Sequence, residues 1–223
     1  MSKYTLTKEQ YQELYLEVMT FADIGGLLDG GDVIWNICIE EMKELQDATE
    51  DLNPADIQDA IADTFVTLTQ LYHFYFKEPC HTFDEATVFD FYTIQNCIDG
   101  MEEKDERYVK SILSFWQQQA TLEARRWGVN LYKAIKFVNK SNFTKYPQYF
   151  DVEWVYGDSQ TLLKAADECM ALAKQYGKDY PNVVATVNTV HGVDYVVFRQ
   201  DHGKGKVVKH FKFFKEPDFT GTL

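Results

Sequence analysis

Glu40, Glu41 and Glu44 fall within about one helical turn, and Asp56, Asp59 and Asp63 follow at spacings of three and four beyond an Asn53-Pro54 break. Spacings of three and four residues put side chains on a common helix face. Two helices joined by so short a turn lie antiparallel. The stretch Ile39–Leu68 therefore lines a helix–helix seam with carboxylates, the oxygen donors that a hard cation such as Mg2+ takes. Glu40/Glu44 and Asp59/Asp63 are i,i+4 like-charge pairs, each unfavourable by roughly 0.2–0.5 kcal/mol. A cation between the helices would reverse that repulsion. Two solvated faces in an acidic chain produce the same spacing, so the pattern by itself leaves both readings open.

The elements that position these acids are helical. Thr7 caps a helix that reaches about Phe21, with Gln10 at the capping-box position. Gly25-Gly26 and Gly30-Gly31 then interrupt the pattern. Asp32 is the expected cap of a second helix with an apolar stripe at Ile34, Cys38, Met42 and Leu45, roughly opposite Glu40 and Glu44. A third helix starts at Pro54 behind Asn53, presents Ile57, Ile61, Phe65 and Leu68, and becomes apolar nearly all round from Phe65 to Phe76. Further helices are expected over Asp84–Cys97, closed by Asp99-Gly100, and over Arg107–Trp127, Leu131–Asn139 and Thr161–Tyr176. The run SNFTKYPQYF breaks helical periodicity.

Beyond Pro181 the period changes to two. Val183–Thr189, Asp194–Arg199 and Lys206–Phe214 read as three strands of an antiparallel meander. The expected fold is mainly α: a helical bundle with a small C-terminal β meander. A helical core spans 1–147, with an insertion at about 77–107. A helix and three strands span 148–223, the last strand returning to the core.

Hydrophobic residues make up 45% of the 223 and aromatics 15%, enough for a core and too much for a disordered chain. A net charge of −13 argues against sequence-independent nucleic-acid binding, which needs a basic surface. It leaves room for an acidic mimic of DNA that occupies a basic protein. No apolar run is long enough to cross a bilayer, and no leader pattern precedes Thr7, so no membrane association is expected. Cys38, Cys80, Cys97 and Cys169 are scattered, which fits reduced thiols in a cytoplasm. Cys80-His81 finds no second pair at zinc-finger spacing.

Four segments in order carry a resemblance. EEMKE at 40–44, followed by an acidic pair ending at Asp63, resembles the paired acidic motifs of the all-α nucleoside triphosphate pyrophosphohydrolases, the MazG-like and phosphoribosyl-ATP-pyrophosphatase-like superfamily. VNKSNFTK (138–145) is similar to the Vh-x-SN-x-SK segment of one branch. KGKVVKHFKFFKEPDF (204–219) is similar to that branch's closing dGKvlK segment, and Phe21-Ala22 sits where relatives carry a Phe. The usual second motif is E-x-x-D, whereas this chain has Ala60 and places the acid at Asp59. The regions of about 77–107 and 147–200 look like insertions.

The resemblance implies hydrolysis of a (d)NTP to the monophosphate and pyrophosphate with Mg2+, or Mn2+ in its place. It implies metal ligands at Glu41, Glu44 and Asp63, with Asp59 a displaced candidate, and it makes Glu40, Glu41 and Glu44 the catalytic acids. Glu40 is either a further ligand or the base that orients water. Asn142 would meet a polar group of the substrate and Lys145 its phosphates. Lys206 or Lys209 either helps enclose the polyphosphate or protects an edge strand. Phe21 and Trp35 either stack on a base or fill the core. Relatives assemble as dimers or larger oligomers, so a homo-oligomer is expected. The alternatives are a phosphoribosyl-ATP-type activity and a non-catalytic acidic binding module.

Overall fold

In the computed structural model the expected capping box opens the first helix. The Thr7 N–H donates to Gln10 Oε1 at 3.0 Å, and the Gln10 N–H donates to Thr7 Oγ1 at 3.2 Å. Two donors left over at a helix start are thereby satisfied, and α1 runs Lys8–Ile24. The structure describes residues 3–28, 31–79, 93–157 and 160–222, apart from the side chain of Asp32. The chain forms two compact units, one of Met1–Met19, Leu28–Asn139 and Pro217–Leu223, the other of Thr20–Leu27 and Lys140–Glu216. The protein is mainly helical with a small C-terminal antiparallel sheet.

In the first unit, α2 (Gly31–Asp51) and α3 (Pro54–Phe76) form the helical hairpin. Because α2 begins at Gly31, Asp32 lies within its first turn and not ahead of it as a cap. At the hairpin's tip Leu52 takes a positive φ of 59°, and the Asn53 side chain accepts the Ala55 N–H at 3.0 Å with Pro54 in the first helical position. The next helix, α4, runs Ile94–Glu102 behind a Thr93 cap. It passes through Asp99-Gly100, where a stop was expected, because Gly100 is buried in packing and does not end the helix. Cys80-His81 and most of the expected Asp84–Cys97 helix lie outside the described residues. After a 3-10 turn at Glu106–Tyr108, α5 (Val109–Trp127) ends at Gly128 in the left-handed region, as its composition predicts.

Buried Leu14, Ile34, Met42, Leu45, Ile57, Ile61, Phe65, Leu68 and Trp116 make the core of this unit. Each such side chain contributes about 1.5–3 kcal/mol by leaving water. The Trp116 indole N–H donates to the Ile61 carbonyl at 3.2 Å, so its polar edge is not stranded. The chain's last segment also belongs here: the Asn130 and Leu131 N–H groups that open α6 (Leu131–Phe143) donate to the Thr222 and Lys3 carbonyls at 2.7 and 3.0 Å.

In the second unit, α7 (Tyr149–Tyr156) and α8 (Thr161–Gln175) pack on β1 (Val184–Val190) and β2 (Val193–Arg199). His191 and Gly192 join the strands with φ of 51° and 78°, the doubly positive turn that matches strand twist. Val152, Ala165, Cys169, Val196, Phe198 and Val208 fill the centre. The expected third strand is not formed. Lys206–Val208 makes one bridge, Val207 to Arg199, and the chain then turns at 211–213 with the Phe213 and Phe214 N–H groups on the His210 carbonyl at 2.9 Å. His210 causes the departure. Its buried ring draws the chain inward, with Nε2 at 3.1 Å from the Ala165 carbonyl and 3.0 Å from Tyr156 Oη, while Nδ1 accepts the Lys212 N–H at 3.3 Å. Those partners require the neutral Nε2–H form of the ring. Tyr156 in turn donates to Glu168, which pairs with Lys212 at 2.9 Å. No helix among the described residues is long and apolar enough to cross a membrane.

Candidate functional site

The register of the hairpin decides which acids share a level. The Thr64 hydroxyl contacts the Glu41 carbonyl at 3.3 Å and the Ala60 carbonyl at 2.6 Å, tying α3 to α2. One turn away, the Thr67 hydroxyl meets the Cys38 thiol. Positions 38 with 67 and 41 with 64 fix antiparallel helices and bring Asp63 to the level of Glu41. Glu44 and Asp59 follow about one turn toward the tip.

Burial sharpens the pattern. From Ile57 to Tyr72 every residue of α3 is buried except Asp59 and Asp63, which are half-buried. The acids are thus a narrow opening in a helix otherwise enclosed by protein. On α2, Glu41 is half-buried and Glu40 and Glu44 are exposed. Burial pushes the Cys38 thiol well above its ordinary value, the Thr67 hydroxyl pulls it back, and the nearby Glu41 charge raises it again. Lys43, the one basic residue of α2, is turned to Glu102 of α4 at 3.2 Å. Asp56 serves the helix start, accepting from Asn53 Nδ2 at 2.7 Å.

Among the described residues no three His, Cys, Asp or Glu side chains gather closely enough to hold a metal ion. Mg2+ commonly keeps several waters and binds through one or two carboxylates plus substrate phosphates. Glu41 and Asp63, half-buried at one level, fit that mode of binding.

The second unit gathers the other resembling segments. Phe21 lies 4.8 Å from the Tyr146 ring and 6.0 Å from that of Phe143, and Lys145 Nζ stands 6.0 Å from its centroid. Asn142 is buried within α6, which continues four residues past its expected end at Asn139; its carbonyl accepts the Lys145 N–H at 3.0 Å. The Ser141 hydroxyl donates to the Lys215 carbonyl at 2.7 Å and Thr144 accepts the Lys215 N–H at 2.9 Å. The SNFTK and lysine-rich segments are thus stitched together. Lys209 is committed to Glu216 at 3.5 Å and to the Phe214 ring at 4.1 Å, and Lys206 is exposed. Trp35, in the first unit, is 1% exposed and donates its indole N–H to Tyr75 at 2.8 Å. It fills the core and shows no open face for a base.

Two features escaped the sequence. Asn188 donates to the Ile24 carbonyl at 2.7 Å and Arg199 to that of Gly25, so the hairpin of the second unit caps the end of α1. A polar pocket on α5 is the other, and its spacing at 117, 118, 121 and 125 was visible in the chain. The chain matches no family model, no curated protein and no solved structure, so the likeness to the all-α pyrophosphohydrolases rests on its four segments alone.

Proposed function

We propose that the protein is a Mg2+-dependent nucleoside triphosphate pyrophosphohydrolase, converting a (d)NTP and water to the (d)NMP and pyrophosphate. The observation that carries this reading is the break in the burial of α3 at Asp59 and Asp63, beside half-buried Glu41. Half-buried carboxylates on two facing helices offer the oxygen donors that a hard cation takes. Bound there, Mg2+ supplies the positive charge that lets an acidic seam accept an anionic triphosphate.

In this reading Glu41 and Asp63 would hold the ion, with Glu44 and Asp59 one turn away in support. Glu40, exposed on the rim, takes a proton from the attacking water. The new bond joins the water oxygen to the α-phosphorus, and the bond to the bridging oxygen breaks. Pyrophosphate leaves with that electron pair. For Asn142, Lys145, Lys206 and Lys209 a role with substrate rests on the resemblance alone.

The test is pyrophosphate release from a panel of canonical and modified (d)NTPs, with Mg2+ and with chelator. Release from at least one, abolished by chelator, supports the reading; no release from any removes it. A second reading has one observation in its favour. The first unit carries 25 acidic against 11 basic residues, the second 10 against 11, so the negative charge is concentrated on one unit. An acidic module that binds a basic protein would present charge in that way.

A further inference from the structure

A pocket of about 510 Å3 opens in the first unit along α5, against the N-terminal segment. Its size falls within the ~300–1,000 Å3 typical of small-molecule sites. Its polar wall is Thr5, Gln117, Gln118, Thr121 and Arg125. Gln117, Thr121 and Arg125 are four residues apart, so they rise along one helix face. Leu6, Leu122 and Leu131 line it as well, and Trp116, fully buried and fixed through its indole N–H, backs it.

Gln118 and Arg125 are exposed and Thr5, Gln117 and Thr121 half-buried, so all five polar groups are open to a ligand. Among the described residues, none of the five side chains has a hydrogen-bond or ion-pair partner. Among the described residues no acid pairs with Arg125. The nearest acid along the helix, Glu123, is taken by Arg126 at 3.7 Å and by the Trp127 indole N–H at 3.1 Å. A guanidinium offers paired donors to a phosphate or carboxylate. Two glutamine amides offer donors and acceptors together, as a nucleobase edge or an amide requires. The leucines meet the apolar part of such a body.

We propose that this pocket binds a nucleoside monophosphate at a site separate in sequence from the acidic hairpin, with Arg125 on the phosphate and the glutamines on the base. The choice among small organic anions rests on the pyrophosphohydrolase reading, in which that compound is the product. Calorimetric titration of the full chain with dAMP, dGMP, dCMP, dTMP and dUMP, in chelator so that no metal-dependent site contributes, tests it. At least one should bind saturably, Arg125→Met should weaken it tenfold or more, and Thr121→Val should weaken it severalfold. Glu41→Gln should leave it intact. Inorganic phosphate, lacking the base, should bind at least tenfold more weakly.

Absence of saturable binding at millimolar concentration, or equal affinity in Arg125→Met, overturns the proposal. Pyrophosphate release separates the two readings. Monophosphate binding lost in Arg125→Met, with no nucleotide hydrolysed, keeps the pocket and removes the activity. Hydrolysis without such binding does the reverse.

Discussion

Alanine at position 25 should destabilise the protein, and changing Tyr146 at the same time should abolish most of the loss. A Cβ at Gly25 would overlap Tyr146 Oη and lie 3.1 Å from Cζ. The ring has little freedom to withdraw, being 2% exposed and packed 4.8 Å from Phe21. Overpacking of this kind costs about 1–3 kcal/mol. Gly25 does not occupy the positive-φ region, so alanine also gains roughly 0.4–1 kcal/mol by restricting the unfolded chain. The net loss should be about 1–2 kcal/mol. Tyr146→Phe should behave in the opposite way, because its hydroxyl is buried with no partner among the described residues. Removing it sacrifices no bond and relieves a desolvated group, for a change between zero and about 1 kcal/mol of stabilisation. The double variant should fall within about 0.5 kcal/mol of Tyr146→Phe, a coupling of about 1–2 kcal/mol. Urea unfolding of all four proteins, followed by circular dichroism, measures the cycle. A Gly25→Ala protein as stable as wild type, or a Tyr146→Phe protein more than 1 kcal/mol less stable, would refute the close approach of Gly25 and Tyr146.

Other expectations are checked separately. Burial lowers the His210 pKa against the pull of Glu168, so the folded state favours the neutral ring; its contribution is complete above the ordinary value of about 6.5 and fades as pH falls through the folded value. The urea midpoint should therefore drop more between pH 7.5 and 5 in wild type than in His210→Gln, and equal drops would contradict this. Burial raises the Cys97 and Cys169 thiols to about 12 and Cys38 further still, so all three should resist a thiol reagent until urea is added; rapid native labelling at any of them, located by mass spectrometry, would be the contrary result. If the protein hydrolyses nucleotides, Lys145→Ala should raise KM severalfold and leave the Mg2+ requirement unchanged, whereas an unaltered KM would withdraw Lys145 from the substrate.

Features set by a few neighbouring residues were legible in the chain. The Thr7–Gln10 box and the Asn53-Pro54 start each depend on local donors or a local φ, and each formed where expected. Features set by distant partners were not. The segment after Val208 alternates like a strand, yet a buried histidine bends it toward Ala165 and Tyr156. α6 continues through Ser141 and Asn142 because both are buried, Ser141 bonding the backbone of Lys215. α7 gave no periodic signal, since its exposed positions include Phe150 and Trp154, at 68% and 83% exposure, and so lack polar contrast. The same division holds at the candidate site. Spacing placed six acids on two helices, but only tertiary packing distinguishes Asp59 and Asp63, left half-buried in an enclosed helix, from Asp56, which serves a cap.

The most direct test of the account compares Glu41→Gln and Asp63→Asn with wild type for Mg2+-dependent pyrophosphate release, using whichever nucleotide wild type prefers and circular dichroism as a check on folding. Both substitutions keep shape and remove the charge that would hold the ion. The account predicts loss of release by at least about a hundredfold, near 2.7 kcal/mol of transition-state stabilisation, in proteins that remain folded. Release at the wild-type rate from either variant would contradict it.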